Sequence, residues 1–129
     1  MGNFPAELKY TKEHEWIKIE GKLATVGITE YAAEQLGDVV LVELPAMDAE
    51  ITKGDAFGVV ESVKSVSDIF APISGHVREV NDALPETPAL VNDDPYGEGW
   101  LVRIESSDAT DFDELMSAKE YESYLSEEA

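Results

Sequence analysis

Apolar residues fall in short runs along most of the chain, cut apart by glycine, proline and charged pairs. Trp16-Ile17-Lys18-Ile19-Glu20 alternates, Gly21-Lys22 breaks the pattern, and Leu23-Ala24-Thr25-Val26-Gly27-Ile28 follows, which predicts a hairpin. Residues 38–44 hold a continuous apolar run, Val39-Val40-Leu41-Val42, closed by Pro45, and read as a strand buried on both faces. Residues 56–62 and 66–71 predict two further strands. Pro72 and Gly75 then punctuate the chain before another at 76–80, and residues 100–105 alternate once more. Many short strands at this spacing predict a mostly β sandwich or barrel.

Two helices interrupt the pattern. Thr29 is placed to cap a short helix over 30–36, and Gly37 to end it. Near the end, Thr110 with Asp113 has the spacing of a capping box. Phe112, Leu115, Met116, Tyr121, Tyr124 and Leu125 then form a helical apolar stripe, so a C-terminal helix is expected over about 111–125, covering one side of the sandwich. With no linker or low-complexity tract, residues 1–129 read as one domain with its core in about 23–105.

Composition narrows the functions open to such a domain. A hydrophobic fraction of 43% with 9% aromatics is globular, and no apolar run approaches the ~18 residues of a membrane span. Met1-Gly2-Asn3-Phe4-Pro5-Ala6 lacks the basic flank and apolar stretch of a signal peptide, and Ala6 stands where myristoylation needs Ser or Thr. The expected location is the cytoplasm, or the mitochondrial matrix if a transit peptide has been removed. The absence of cysteine excludes disulfides and thiolate chemistry. Nine basic against twenty-eight acidic residues give a net charge of −19, which argues against a nucleic-acid partner. The same charge keeps a small protein soluble and steers it towards positively charged clefts on larger ones.

The candidate chemistry sits at Gly58-Val59-Val60-Glu61-Ser62-Val63-Lys64-Ser65-Val66-Ser67-Asp68-Ile69, where two apolar strands meet at a very short turn with a lysine at its tip. Tight hairpins favour Asn-Gly or Asp-Gly because those residues tolerate positive φ. Val63-Lys64 there marks a place where turn chemistry yields to function. Elsewhere the signals are weaker. His14 and His76, with no cysteine and no close spacing, make a poor metal site. The acidic loop over 92–99 fails as a calcium loop, since Tyr96 and Arg103 fall where oxygen ligands are required. No metal site and no catalytic residue is expected. A stand-alone hydrolase would need a carboxylate pair of raised pKa in a cleft, and no motif suggests one.

Glu61-Ser62-Val63-Lys64-Ser65-Val66-Ser67-Asp68 resembles the lipoylation site of glycine cleavage H proteins. The likeness extends, in order, through His14-Glu15-Trp16, Val26-Gly27-Ile28-Thr29-Glu30-Tyr31-Ala32, Leu36-Gly37-Asp38-Val39-Val40, Val42-Glu43-Leu44-Pro45, Ala71-Pro72-Ile73-Ser74-Gly75 and Asn92-Asp93-Asp94-Pro95-Tyr96-Gly97-Glu98-Gly99-Trp100. Together these reach from about Leu8 to Tyr124. Biotin carriers differ, having methionines on both sides of their lysine. Lipoyl domains of the 2-oxoacid dehydrogenase complexes usually place Asp directly before it, where this chain has Val63.

The resemblance implies a lipoyl/biotinyl-type barrel-sandwich hybrid with lipoic acid in amide linkage to Lys64, giving an arm that reaches on the order of 14 Å from the backbone. It implies that a lipoate ligase or octanoyltransferase reads Glu61, Ser62, Val63 and Asp68 around the tip. The protein itself would be a non-catalytic, monomeric carrier. It would take the aminomethyl group of glycine from the glycine decarboxylase (P protein) to the aminomethyltransferase (T protein), and its arm would be reoxidised by dihydrolipoamide dehydrogenase (L protein). Glu15 and His14 match the family's segment beside a cleft that shelters the loaded arm, and Gln35 stands where some relatives have histidine. The alternative within the same fold is a lipoyl relay protein that donates lipoate to other enzymes.

Overall fold

A computed structural model describes residues 4–128. In chain order the elements are β1 (Lys9–Tyr10), β2 (Glu15–Glu20), β3 (Leu23–Ile28), α1 (Glu30–Leu36), β4 (Val39–Glu43), β5 (Glu50–Ile51), β6 (Ala56–Ser62), β7 (Val66–Phe70), β8 (Gly75–Val80), α2 (Leu90–Asp93), β9 (Val102–Ser106) and α3 (Ala118–Glu128). They form two antiparallel sheets, one ordered β1-β2-β3-β9-β8-β5 and the other β4-β6-β7. The mostly β architecture with an internal and a C-terminal helix is the one expected.

The core lies between the sheets in two adjoining clusters. Ile17, Val26, Ile73, Val77 and Ile104 fill one, under the larger sheet. Val39, Val42, Val60 and Ile69 line the other from the smaller sheet, closed by Ala33 and Leu36 of α1 and Val91 of α2. Trp16 and Ile17 are adjacent on β2 yet both buried, because the sheet is covered on each side at that point. Ile17 faces the inter-sheet core, whereas Trp16 faces a third cluster with Leu8, Tyr10 and, from α3, Tyr121 and Leu125. The indole lies across Gly27 on β3, where a Cβ would come within 2.6 Å of the ring, so only glycine leaves room for it.

Local capping sets the bounds of α1. The Thr29 hydroxyl accepts the Ala32 N–H at 3.2 Å, and Gly37, at φ 81°, donates its N–H back to Ala33 O at 3.1 Å. That positive φ turns the chain straight from α1 into β4.

Two expectations need correction. The apolar run at β4 is not buried on both faces, since Val40 and Leu41 are 47% and 40% exposed. The strand is the edge of the smaller sheet, and a bulge between Val39 and Leu41 turns two successive residues outward while Val39 and Val42 keep facing the core. Nor is the C-terminal helix continuous over 111–125. Asp108 caps a 3-10 turn at Ala109–Glu114 by accepting the Thr110 N–H at 3.0 Å, and the helix proper starts only at Ala118. The working capping box is Ser117 with Glu120, not Thr110 with Asp113. Ser117 N–H donates to Glu120 Oε1 at 2.8 Å, and Glu120 N–H to Ser117 Oγ at 3.2 Å. The apolar stripe divides accordingly: Phe112 and Leu115 pack towards the inter-sheet core, while Tyr121 and Leu125 cover Trp16.

Candidate functional site

The β6–β7 hairpin carries Lys64 at its tip, with Glu61 paired to Val66 as the last cross-strand pair. Beyond it, every amide of the turn is held. Ser62 N–H donates to Ser65 O at 2.7 Å and Val63 N–H to Asp38 O at 3.1 Å. The Ser62 hydroxyl accepts the N–H groups of Lys64 and Ser65 at 3.3 and 3.0 Å and donates to Ser65 O at 3.2 Å. Neither Val63 nor Lys64 adopts positive φ; among the described residues the non-glycines that do are His14 and Asp48. Contrary to the expectation from its sequence, the turn therefore does not override local chemistry. A buried serine hydroxyl closes it where a hairpin would otherwise need Asn-Gly.

Lys64 is exposed and takes part in none of the ion pairs among the described residues. Its stem passes over Gly37, where an added Cβ would lie 3.2 Å from Lys64 Cε. Val63 and Val66 flank it at 71% and 64% exposure, and Asp68 is also exposed. Glu61 is half-buried and Ser62 is inside. Of the four residues expected to be read around the tip, three thus present surface and Ser62 acts from beneath, through the backbone.

The two residues expected beside a sheltering cleft line different walls. His14 borders a cleft of about 340 Å³ that opens beside the hairpin, with Tyr31 and Gln35 from α1 and Ser65, Ser67 and Asp68 from the tip and β7. Its φ of 71° is held by three contacts. His14 N–H donates to Thr11 O at 3.1 Å, His14 O accepts the Thr29 N–H at 3.0 Å, and Nδ1 lies 2.8 Å from the Tyr121 hydroxyl of α3. Glu15 borders a neighbouring cleft of about 390 Å³ with Thr11, Phe70, Ala71 and Met116, and Glu13 lines both.

Glu15 is 1% exposed. The Thr11 hydroxyl donates to its Oε1 at 2.9 Å and the Phe70 N–H to its Oε2 at 3.1 Å. Burial pushes its carboxyl up to about 7, against these two hydrogen bonds, which favour the charged form. Its hydrogen-bond partners are a hydroxyl and an amide, and the charge of nearby Glu13 adds to the upward shift.

The sequence reads residues 92–99 as an acidic loop that fails as a calcium site, but Asn92 lies on α2 and has a defined place in the structure. Its side chain accepts the Val39 N–H at 2.9 Å and donates to Gly37 O at 2.7 Å, bracketing the residue that holds Val63. Contacts spanning more than fifty residues leave no local signal.

Two packed antiparallel sheets that project a lysine from a fully bonded hairpin define a lipoyl/biotinyl-type barrel-sandwich domain. The profile of the glycine cleavage H-protein family matches residues 8–128. The chain is 52% identical over 128 residues to the glycine cleavage system H protein of Carboxydothermus hydrogenoformans, covering 99% of this chain and 98% of that one. It is 53% identical over 127 residues to that of Symbiobacterium thermophilum, covering 98% and 99%. The crystal structure of a glycine cleavage system H protein from Mycobacterium marinum superposes with a TM-score of 0.86 at 41% identity, over 95% of this chain and 98% of that chain. The protein belongs to the glycine cleavage H-protein family.

Proposed function

We propose that the chain is a lipoylated carrier of the glycine cleavage system, modified on Lys64. The observation that carries this reading is the tip itself: an exposed lysine, without an ion pair among the described residues, stands on a turn whose four amides are all bonded. A ligase or octanoyltransferase needs an accessible amine in a fixed place, and the hairpin supplies both. Lipoic acid in amide linkage would supply a long arm ending in a dithiolane that accepts the aminomethyl group of glycine.

The chain's own residues then present, shelter and dock. Val63, Val66 and Asp68 offer the enzymes a mixed apolar and acidic rim, and the net charge of −19 draws the protein towards basic clefts on them. Glu15, ionised, would hold the cationic amine of the cargo by a charge-assisted hydrogen bond. His14 would wall the route from the tip along the side of α1. The decarboxylase, the aminomethyltransferase and the dihydrolipoamide dehydrogenase supply the catalysis, and the carrier moves between them as a monomer.

Reconstitution tests this against the lipoyl relay. Lipoylated protein, glycine and a glycine decarboxylase should yield carbon dioxide and carrier heavier by an aminomethyl group. Transfer of the lipoyl group to a dehydrogenase lipoyl domain, with no reaction with glycine, would favour the relay instead.

A further inference from the structure

Asn92 lies on α2, in a part of the sequence remote from the hairpin, yet its side chain reaches the segment that bonds the tip. One amide group grips the α1–β4 junction at two points, donating from Nδ2 to Gly37 O at 2.7 Å and accepting the Val39 N–H on Oδ1 at 2.9 Å. Asp38 lies between these two anchored residues, and its carbonyl accepts the Val63 N–H at 3.1 Å. Val63 immediately precedes Lys64. The same junction passes under the lysine stem, since Gly37 is the residue over which Lys64 Cε lies.

From this chain of contacts we infer that Asn92 is a positioning residue for modification of Lys64. It fixes the Gly37–Val39 segment, and through Asp38 O the height and direction at which the hairpin tip offers its amine. The inference rests on the reading of Lys64 as the acylated lysine. The carboxamide carries a donor and an acceptor on one planar group and so serves both backbone partners. Aspartate at this place still accepts the Val39 N–H but sets a carboxylate oxygen against Gly37 O, and the junction loses one of its two anchors.

The test compares full-length wild type with N92D, and with N92Q, which keeps the amide. Each is treated with lipoate ligase, lipoate and ATP, while amide exchange is followed residue by residue. The expected result for N92D is faster exchange at Val63 and Lys64 with Val26 and Ile104 unchanged. Its kcat for lipoylation should fall on the order of tenfold with a smaller change in KM for the carrier, and N92Q should recover most of the rate. A uniform rise in exchange with an unchanged lipoylation rate of the folded protein would overturn the inference, leaving Asn92 as a general stabiliser. Should N92D not fold, the same measurements on N92S decide it by the same outcomes. Absence of lipoylation at Lys64 in wild type would instead remove the proposed function, while the exchange comparison would still judge the clamp.

Discussion

Glu15 on β2 accepts the backbone N–H of Phe70 on β7 at 3.1 Å, so a single carboxylate joins the larger sheet to the edge strand that leads from the lysine tip. The bond ties two roles to one residue, since a group that pins the sheets also lines the cleft beside them.

The first consequence is a pH dependence. Burial raises the folded carboxyl from its ordinary value of 4.5 to about 7, so the folded state binds this proton more tightly than the unfolded chain does. Stability from this group is therefore fully present below about pH 4.5, declines as pH rises towards 7, and levels off above it. A difference of that size corresponds to roughly 3 kcal/mol. Glu15→Gln keeps an acceptor for Phe70 and a polar partner for Thr11 but stays neutral. Urea unfolding at several pH values should show the variant gaining on wild type between about pH 4.5 and 7 and remaining more stable above that range. Parallel curves for the two proteins would contradict the assignment.

The second concerns the cargo. A carboxylate at the cleft favours the ammonium form of a bound aminomethyl group, whose nitrogen lone pair is then unavailable to expel the sulfur. Glu15→Ala should leave lipoylation nearly intact, yet speed ammonia release from loaded protein once the decarboxylase is removed. A hydrogen bond to a charged group is worth about 1.5–3 kcal/mol, which corresponds to a tenfold or larger acceleration. Equal release rates would reduce Glu15 to a sheet pin alone.

Ser62 and Glu61, neighbours in sequence, should separate folding from recognition. Ser62→Ala removes the hydroxyl that holds the Lys64 and Ser65 amides, and should cost about 1 kcal/mol of stability as well as slowing lipoylation. Glu61→Ala should slow lipoylation while changing stability by no more than about 0.5 kcal/mol. Thermal unfolding beside a lipoylation time course distinguishes them. Normal lipoylation of a strongly destabilised Glu61→Ala protein would reverse the roles.

How much of this was legible in the chain depends on the range of the forces involved. The bounds of α1 could be read directly, because Thr29 and Gly37 act on backbone groups within one turn. The lysine tip was legible by likeness around Glu61-Ser62-Val63-Lys64, although its closure by the Ser62 hydroxyl was not. The edge position of β4 was hidden, since an unbroken apolar run reads alike whether a bulge turns Val40 and Leu41 to solvent or a second layer covers them. Thr110 with Asp113 and Ser117 with Glu120 carry comparable capping signals, and packing of Tyr121 and Leu125 beside Trp16 favoured the second. Among twenty-eight acids, only the motif distinguished Glu15, and its burial followed from the meeting of two sheets.

The most direct measurement is the intact mass of the Lys64→Arg protein after treatment with lipoate ligase, lipoate and ATP. Arginine keeps the charge at the tip but offers no amine that is acylated under these conditions. Lys53, the comparison lysine in another turn, is ion-paired with Glu114. Wild type should gain one lipoyl mass and Lys64→Arg none. A lipoyl mass on Lys64→Arg, or none on wild type, would contradict the account.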